Sequence, residues 1–140
     1  MKYQINTQIE INATPEKIWA VLMDFENYPH WNPFIKSIKG EALAGSQLSA
    51  QIDQMRFKPF VTKVVVNQHF SWMGSLWITG LFDGHHQFDL IPQANGSTLL
   101  IHSESFSGLL VRLFKKMLDT QTLAGFHAMN SSLKDLIEQN

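Results

Sequence analysis

The sequence predicts an α+β fold in which antiparallel strands are followed by one long C-terminal helix. Three observations carry this. Residues 34–107 fall into short alternating apolar and polar runs separated by turn signals. Asn95-Gly96 stands between two such runs and tolerates the positive φ of a tight hairpin turn. After Gly108 the apolar period changes to about 3.6, with Leu110, Leu113, Phe114, Met117 and Leu118 first and Met129, Leu133 and Ile137 last.

In chain order, residues 3–11 alternate with Tyr3, Ile5, Ile9 and Ile11 on one parity and read as a strand. Thr14-Pro15-Glu16 then opens a helix: a hydroxyl cap, proline at the first helical position, an acid in the first turn. Ile18, Trp19, Leu22 and Phe25 give that helix its apolar face, and it should end before Tyr28-Pro29, since the residue preceding proline avoids the α region. Tyr28 to Pro33 reads as a short aromatic turn or helical fragment. Six strands are expected near 34–42, 46–55, 59–69, 71–79, 82–92 and 97–107, with Gly40–Gly45 and Arg56–Pro59 as early turns. A three-residue loop with a glycine bulge at 94–96 pairs Leu90 with Leu100, Phe88 with His102 and His86 with Glu104. A two-residue loop would shift this pairing by one and put His85 in place of His86. The final helix should span about 30 residues. Gly125 falls mid-way along it, where glycine is roughly 1 kcal/mol worse than alanine, so it is read as permitting a kink or a close approach to the sheet.

The 140 residues are expected to form one domain, 1–140. Charged residues make up only 16% while ten Phe and four Trp are present, which suits a protein lining both a core and a cavity. The same composition suits an oligomer with an apolar interface, a homodimer being the simplest. A net charge of −1 without a basic stripe argues against a nucleic-acid surface. No apolar run approaches the ~18 residues of a membrane span. There is no cysteine, and MKYQINTQIEI lacks a signal-peptide core, so the expected location is cytoplasmic. No cofactor is expected: a glycine-rich phosphate loop, a dinucleotide fingerprint, G-x-S-x-G and H-E-x-x-H are all missing from the sequence.

The hairpin of residues 80–108 has an unusual face. His86, His102 and Glu104 share side-chain parity with Phe88, Leu90, Leu100 and Phe106. Polar groups buried without partners cost about 1–3 kcal/mol each on mutational scales, so such a face borders a cavity, water or a ligand.

The same segments carry a family resemblance over essentially the whole chain. Near the start stand Pro15-x-x-Ile18-Trp19 and Asp24-x-x-x-Tyr28-x-x-Trp31-Asn32-Pro33. The middle has Gly80-Leu81-Phe82-Asp83-Gly84-x-His86-x-Phe88, Gly96-x-Thr98 and His102-x-Glu104-x-Phe106-x-Gly108. The end has Gly125-Phe126-x-x-Met129-Asn130-x-x-Leu133-Lys134. In these the chain resembles the START-like (SRPBCC) superfamily, which includes birch-pollen-allergen-like proteins, and within it the bacterial polyketide cyclase/dehydrase and lipid-transport branch. The resemblance implies a helix-grip fold: a curved antiparallel sheet of about seven strands wrapped around the long C-terminal helix, with an internal cavity. It also implies a soluble binding protein for a small hydrophobic ligand such as a lipid, a polyketide-like aromatic or an isoprenoid. Because the superfamily holds binders, transporters and enzymes, two other functions stay open. One is a cofactor-independent cyclase, dehydratase or hydrolase using Glu104 with His86 or His102 as acid and base. The other is a protein-interaction module.

The candidate residues admit more than one role. His86, His102 and Glu104 are candidates for catalysis and for ligand anchoring, and equally for a self-satisfied network tied to the long helix through Asn130 or water. Two imidazoles and a carboxylate resemble a metal set, but no spacing requires one, and no metal is expected. Trp72, Met73, Trp77, Phe82, Phe88 and Phe106 are wall candidates on the strands. Leu113, Phe114, Met117, Gln121 and Phe126 are wall candidates on the helix, and Trp31 is a candidate at the cavity mouth. For each of these, plain core packing is the competing role.

Overall fold

The structure is a computed structural model that describes residues 2–76 and 78–139. Strand β1 (Lys2–Ile11) keeps the expected alternation, with Ile5, Thr7 and Ile11 buried and the even positions from Gln4 to Glu10 exposed. Helix α1 (Pro15–Met23) starts as its sequence dictates: the Thr14 hydroxyl accepts from the Lys17 amide at 3.4 Å, and Pro15 occupies the first position. It stops at Asp24, whose ψ of 72° leaves the helical region. A 3-10 turn (Phe25–Asn27) and the one-turn helix α2 (Tyr28–Trp31) follow. Here the proline argument fails in detail. Tyr28 precedes Pro29 yet sits in the α region (φ −53°, ψ −42°), held by its buried hydroxyl donating to the Leu22 carbonyl at 2.8 Å. Two buried backbone groups gain a partner after α2, because the Asn32 carboxamide oxygen accepts from the Phe34 and Ile35 amides at 2.9 Å.

Among the described residues, eight strands form two antiparallel sheets. The larger has the order β1-β8-β7-β6-β5, and the smaller β2-β3-β4. Strand β2 (Ile35–Lys39), β3 (Ser49–Ile52) and β4 (Met55–Phe57) make the smaller one. The expected long strand at 46–55 is thus a short strand and a turn. Asp53, at φ +55°, reverses the chain, and part of the expected turn at 56–59 is strand β4. Strand β5 (Phe60–Val65) then opens the larger sheet beside β6 (His69–Leu76). Residues 45–48 join the two sheets at this edge through Gly45–Val61, Val61–Ser46 and Leu48–Pro59 backbone bonds of 2.8–2.9 Å. A bulge at Thr62 breaks simple alternation in β5, so Val61 opposes Trp72 while Val64, three residues on, opposes Phe70.

Strands β7 (Phe82–Pro92) and β8 (Thr98–Ser107) form the long hairpin, closed by residues 93–97 with Gly96 at φ +89°. Its register is the one expected for a three-residue loop: Leu90–Leu100, Phe88–His102, His86–Glu104. The C-terminal helical stretch comprises α3 (Val111–Met117), a π-helical turn (Leu118–Thr122) and α4 (Leu123–Glu138). The irregularity expected at Gly125 lies instead in the π turn, while Gly125 makes a close approach. A Cβ there would overlap the Phe34 ring, which packs against Phe126 at 5.3 Å. Helix α4 buries Phe126, Met129, Asn130, Leu133 and Ile137, and its far end is fastened to β1 by Lys134 Nζ donating to the Glu10 carbonyl at 2.8 Å. A curved sheet gripping a long C-terminal helix is the helix-grip fold.

Candidate functional site

The hairpin register puts His86 and Glu104 side by side, and His102 next to Phe88, all on the face turned to α4. His86 and His102 are buried, while the Glu104 side chain keeps 14% of its exposure. The three do not converge on one point. They are links of a chain: Glu104 Oε1 lies 3.1 Å from His86 Nδ1, and His86 Nε2 lies 2.7 Å from His102 Nε2. His102 Nδ1 lies 2.8 Å from the Asn130 carboxamide oxygen, and Asn130 Nδ2 donates to Thr7 Oγ1 at 2.9 Å. Thr7 in turn donates to the His102 carbonyl at 2.7 Å. Among the described residues, no group of three or more metal-binding side chains could hold an ion.

Flat neighbours sandwich one imidazole and cover a face of the other. His102 stacks between Phe88 (4.5 Å, 22°) and Phe126 (4.1 Å, 13°), and His86 stacks on Trp72 (4.6 Å, 21°). An aromatic face favours a cation by up to about 2 kcal/mol. Desolvating a buried ion costs several kcal/mol, so the neutral form wins. Burial accordingly pushes His86 down to about 3, with repulsion from His85 adding to it. Burial also drives His102 well below its ordinary value, helped by His86. Burial pushes the Glu104 carboxyl up to about 8 against a smaller opposing pull from His85.

In front of Glu104 lies a cleft between the large sheet, the small sheet and the helix. Its inner chamber has a volume of about 90 Å³. Trp72, Leu76, Phe82 and Phe106 form the large-sheet wall, Ile52, Met55 and Phe57 the small-sheet wall, and Met117, Leu118 and Thr122 the helix wall. Glu104 is the one ionisable residue among them. An outer chamber of about 180 Å³ adjoins it, sharing Phe34, Ile52, Met55, Met117 and Thr122 and adding Asp53, Gln121 and Gly125. Gly84 also lines the inner chamber, and a Cβ there would overlap Glu104 Oε2. Its missing side chain is what lets the carboxyl lie across the strand.

The expected site residues divide between the cleft lining and the packing behind it. Trp72, Phe82, Glu104, Phe106 and Met117 line the inner chamber, and Gln121 lines the outer. His86, Phe88, His102, Phe126 and Asn130 lie behind the wall as the network and its stacking partners. Trp31 packs edge-on to Tyr28 at 5.3 Å, away from the cleft lining. Met73 and Leu113 are exposed, and Phe114 meets Phe82 edge-on from outside the lining. Trp77 lies outside the described residues. His85 projects from the other face of β7, where its Nε2 is 3.1 Å from the Thr62 hydroxyl. Strand alternation could not reveal Phe34, Ile52, Phe57 and Thr122. They arrive from the bend before β2, the small sheet and the π turn, and only Gly125, too tight for any side chain beside Phe34, marked that approach.

Comparison with known proteins agrees with this architecture. A START superfamily protein from Mycobacterium smegmatis superposes with a TM-score of 0.72 at 27% identity, covering 97% of each chain. Norcoclaurine synthase from Thalictrum flavum, in complex with dopamine and hydroxybenzaldehyde, gives 0.76 at 15% identity over 100% of this chain and 88% of that one. A hypothetical protein from Helicobacter pylori gives 0.83 at 13% identity, covering 96% and 87%. No curated protein matches. No helix among the described residues is long and apolar enough to cross a membrane. The family model described as polyketide cyclase / dehydrase and lipid transport matches residues 2–138, and the chain belongs to that family, within the START/SRPBCC superfamily.

Proposed function

We propose that the protein binds a small hydrophobic molecule in the cleft between the sheets and the helix, with Glu104 as its polar anchor. The observation that carries this is an apolar inner chamber whose single ionisable lining residue, among the described residues, is Glu104, the pattern of a ligand site with one orienting group. Size narrows the ligand. A cavity of about 150 Å³ admits benzene, so adjoining chambers of about 90 and 180 Å³ suit one or two rings or a short isoprenoid better than a whole lipid. The fold relative from Thalictrum flavum, in complex with dopamine and hydroxybenzaldehyde, supports ligands of that size.

A second reading, acid–base catalysis by Glu104 with a histidine, is favoured by the raised carboxyl and opposed by the imidazole beside it. Held near 3 by burial, His86 is a poor proton acceptor at neutral pH. The arrangement suits holding a ligand better than moving its protons.

Thermal denaturation with naphthalene, indole and geraniol tests the binding reading. A ligand at a hundred times its Kd adds about 2.7 kcal/mol, which for a chain of this size raises Tm by roughly 6–10 °C. Met117→Trp, at the junction of the chambers, should remove the shift. If no probe raises Tm, or if the filled variant responds like the wild type, the proposal fails.

A further inference from the structure

The buried chain behind Glu104 has a direction, and the direction can be read from its far end. The His102 carbonyl can only accept, so Thr7 commits its single hydroxyl proton there, at 2.7 Å. The Thr7 oxygen must then accept from Asn130, which fixes the carboxamide with Nδ2 toward Thr7 and Oδ1 toward His102. Against that oxygen His102 must carry its proton on Nδ1, and a neutral imidazole carries only one. Its Nε2 is therefore bare and accepts from His86 Nε2–H at 2.7 Å. His86 Nδ1 is bare in its turn, and the group facing it at 3.1 Å is Glu104 Oε1. That bond exists only if Glu104 supplies the proton.

The reverse direction is worse on two counts. It asks the one Thr7 proton to serve both the His102 carbonyl and a turned Asn130, so a buried bond is forfeited. It also leaves a carboxylate facing an apolar chamber. Moving the proton from Glu104 to His86 would bury two charges, with His85 adjacent in the chain. In that form, as in the neutral one, Oε2 has no proton and meets the cleft as an acceptor.

We propose that the relay Thr7–Asn130–His102–His86 holds Glu104 as a neutral acid whose proton points at His86. Its free oxygen then selects an apolar ligand bearing a neutral hydroxyl or N–H donor over the corresponding carboxylate. This rests on the cleft being a ligand site and names the chemistry of the ligand's polar end. The other ionisable groups around the relay are few: His85 on the far side of β7 next to Glu104, His127 on α4 near His102, and Asp53 at the outer chamber. The upward displacement of Glu104 to about 8 and the neutrality of both histidines agree with the geometry at pH 7.

Two measurements test the proposal separately. Infrared difference spectra of the ligand-free protein, with Glu104→Gln as reference, should show a protonated carboxylic acid at pH 7. In Thr7→Val, which frees the Asn130 amide to turn, the pH at which that acid ionises should fall by at least one unit. A carboxylate signal at pH 7 in the wild type overturns the relay. Titration with 2-naphthol and 2-naphthoate then reads the ligand class, with at least a tenfold preference for the naphthol expected. Glu104→Gln should keep that preference, because its amide can donate to His86 and still offer an oxygen to the cleft, whereas Glu104→Leu should lose it. Equal affinity for the two naphthalenes, or loss of preference in Glu104→Gln, overturns the assignment. If naphthalene, indole, geraniol and both of these probes fail to bind while the acid signal stands, the binding-site reading has failed and the ligand assignment falls with it; the relay remains.

Discussion

At Gly84 the cleft and the relay meet, and a single methyl group separates their roles. A Cβ there would overlap Glu104 Oε2, but the overlapped atom ends a flexible side chain, so the carboxyl moves and the strand stays. Gly→Ala in a strand gains roughly 0.5–1 kcal/mol in backbone entropy, which offsets the displaced hydrogen bond. Gly84→Ala should therefore leave Tm within a few degrees of wild type while it shifts the infrared carboxyl signal of Glu104 and weakens naphthol binding. An unchanged carboxyl signal would show that Gly84 does not position the acid. The His86–Glu104 and Phe88–His102 pairs were legible in the sequence because one turn fixes the register of a strand face with period two. The links from His102 through Asn130 to Thr7 were less so. Asn130 was singled out, but Thr7 is an unremarkable alternating residue of β1, and its role follows only from where β1 pairs with β8.

At the scale of elements, what the sequence left hidden is where regular periods break. The bulge in β5 lets Val61 oppose Trp72 and Val64, three residues on, oppose Phe70, and the turn at Asp53 cuts short the strand expected over 46–55 and sets β4 largely where a turn was expected. The second of these brings Ile52, Met55 and Phe57 into the cleft wall. Each break turns on a single residue, Thr62 within the β5–β6 pair and Asp53 between the paired β3 and β4, and a one-residue shift leaves the local composition unchanged. The π turn is the helical counterpart: it lies where the helix passes the cleft and presents Leu118, Gln121 and Thr122 to it, in keeping with the frequent placement of π bulges at functional sites. Gly125, one turn on, has a measurable consequence. Alanine in a free helix would gain about 1 kcal/mol, but here its methyl meets the Phe34 ring, which is wedged against Phe126, and overpacking costs typically 1–3 kcal/mol. The clash outweighs the propensity. Gly125→Ala should lower Tm by a few degrees in a thermal melt, and a raised Tm would refute the close approach.

For the whole molecule, the buried cluster sets how stability depends on pH, and its two kinds of group act in opposite directions. Glu104 ionises near 4.5 when unfolded and near 8 when folded. Between those values the folded state holds a proton that the unfolded chain has released, so stability falls as pH rises through the window. His86 takes up a proton near 6.5 when unfolded but only near 3 when folded, and His102 is displaced the same way. Below 6.5 the unfolded chain therefore binds protons that the folded state refuses, and stability falls as pH drops. From 4.5 to 6.5 two histidines oppose one carboxyl, so the acid limb prevails; above 6.5 only the carboxyl acts. The partly exposed His85, lowered mainly by burial, strengthens the acid limb. Stability should thus peak close to pH 6.5. On the alkaline side one proton changes hands, about 1.4 kcal/mol per pH unit, so about 2 kcal/mol is lost by pH 8. That corresponds to a fall in Tm of roughly 4–8 °C. Replacing Glu104 with Gln removes the group that ionises and should flatten the alkaline limb while the acid limb, which belongs to the histidines, persists. Urea denaturation midpoints at pH 5, 6.5 and 8 for both proteins decide the matter. An alkaline decline as steep in Glu104→Gln as in the wild type would mean that the carboxyl is already ionised in the folded protein at neutral pH.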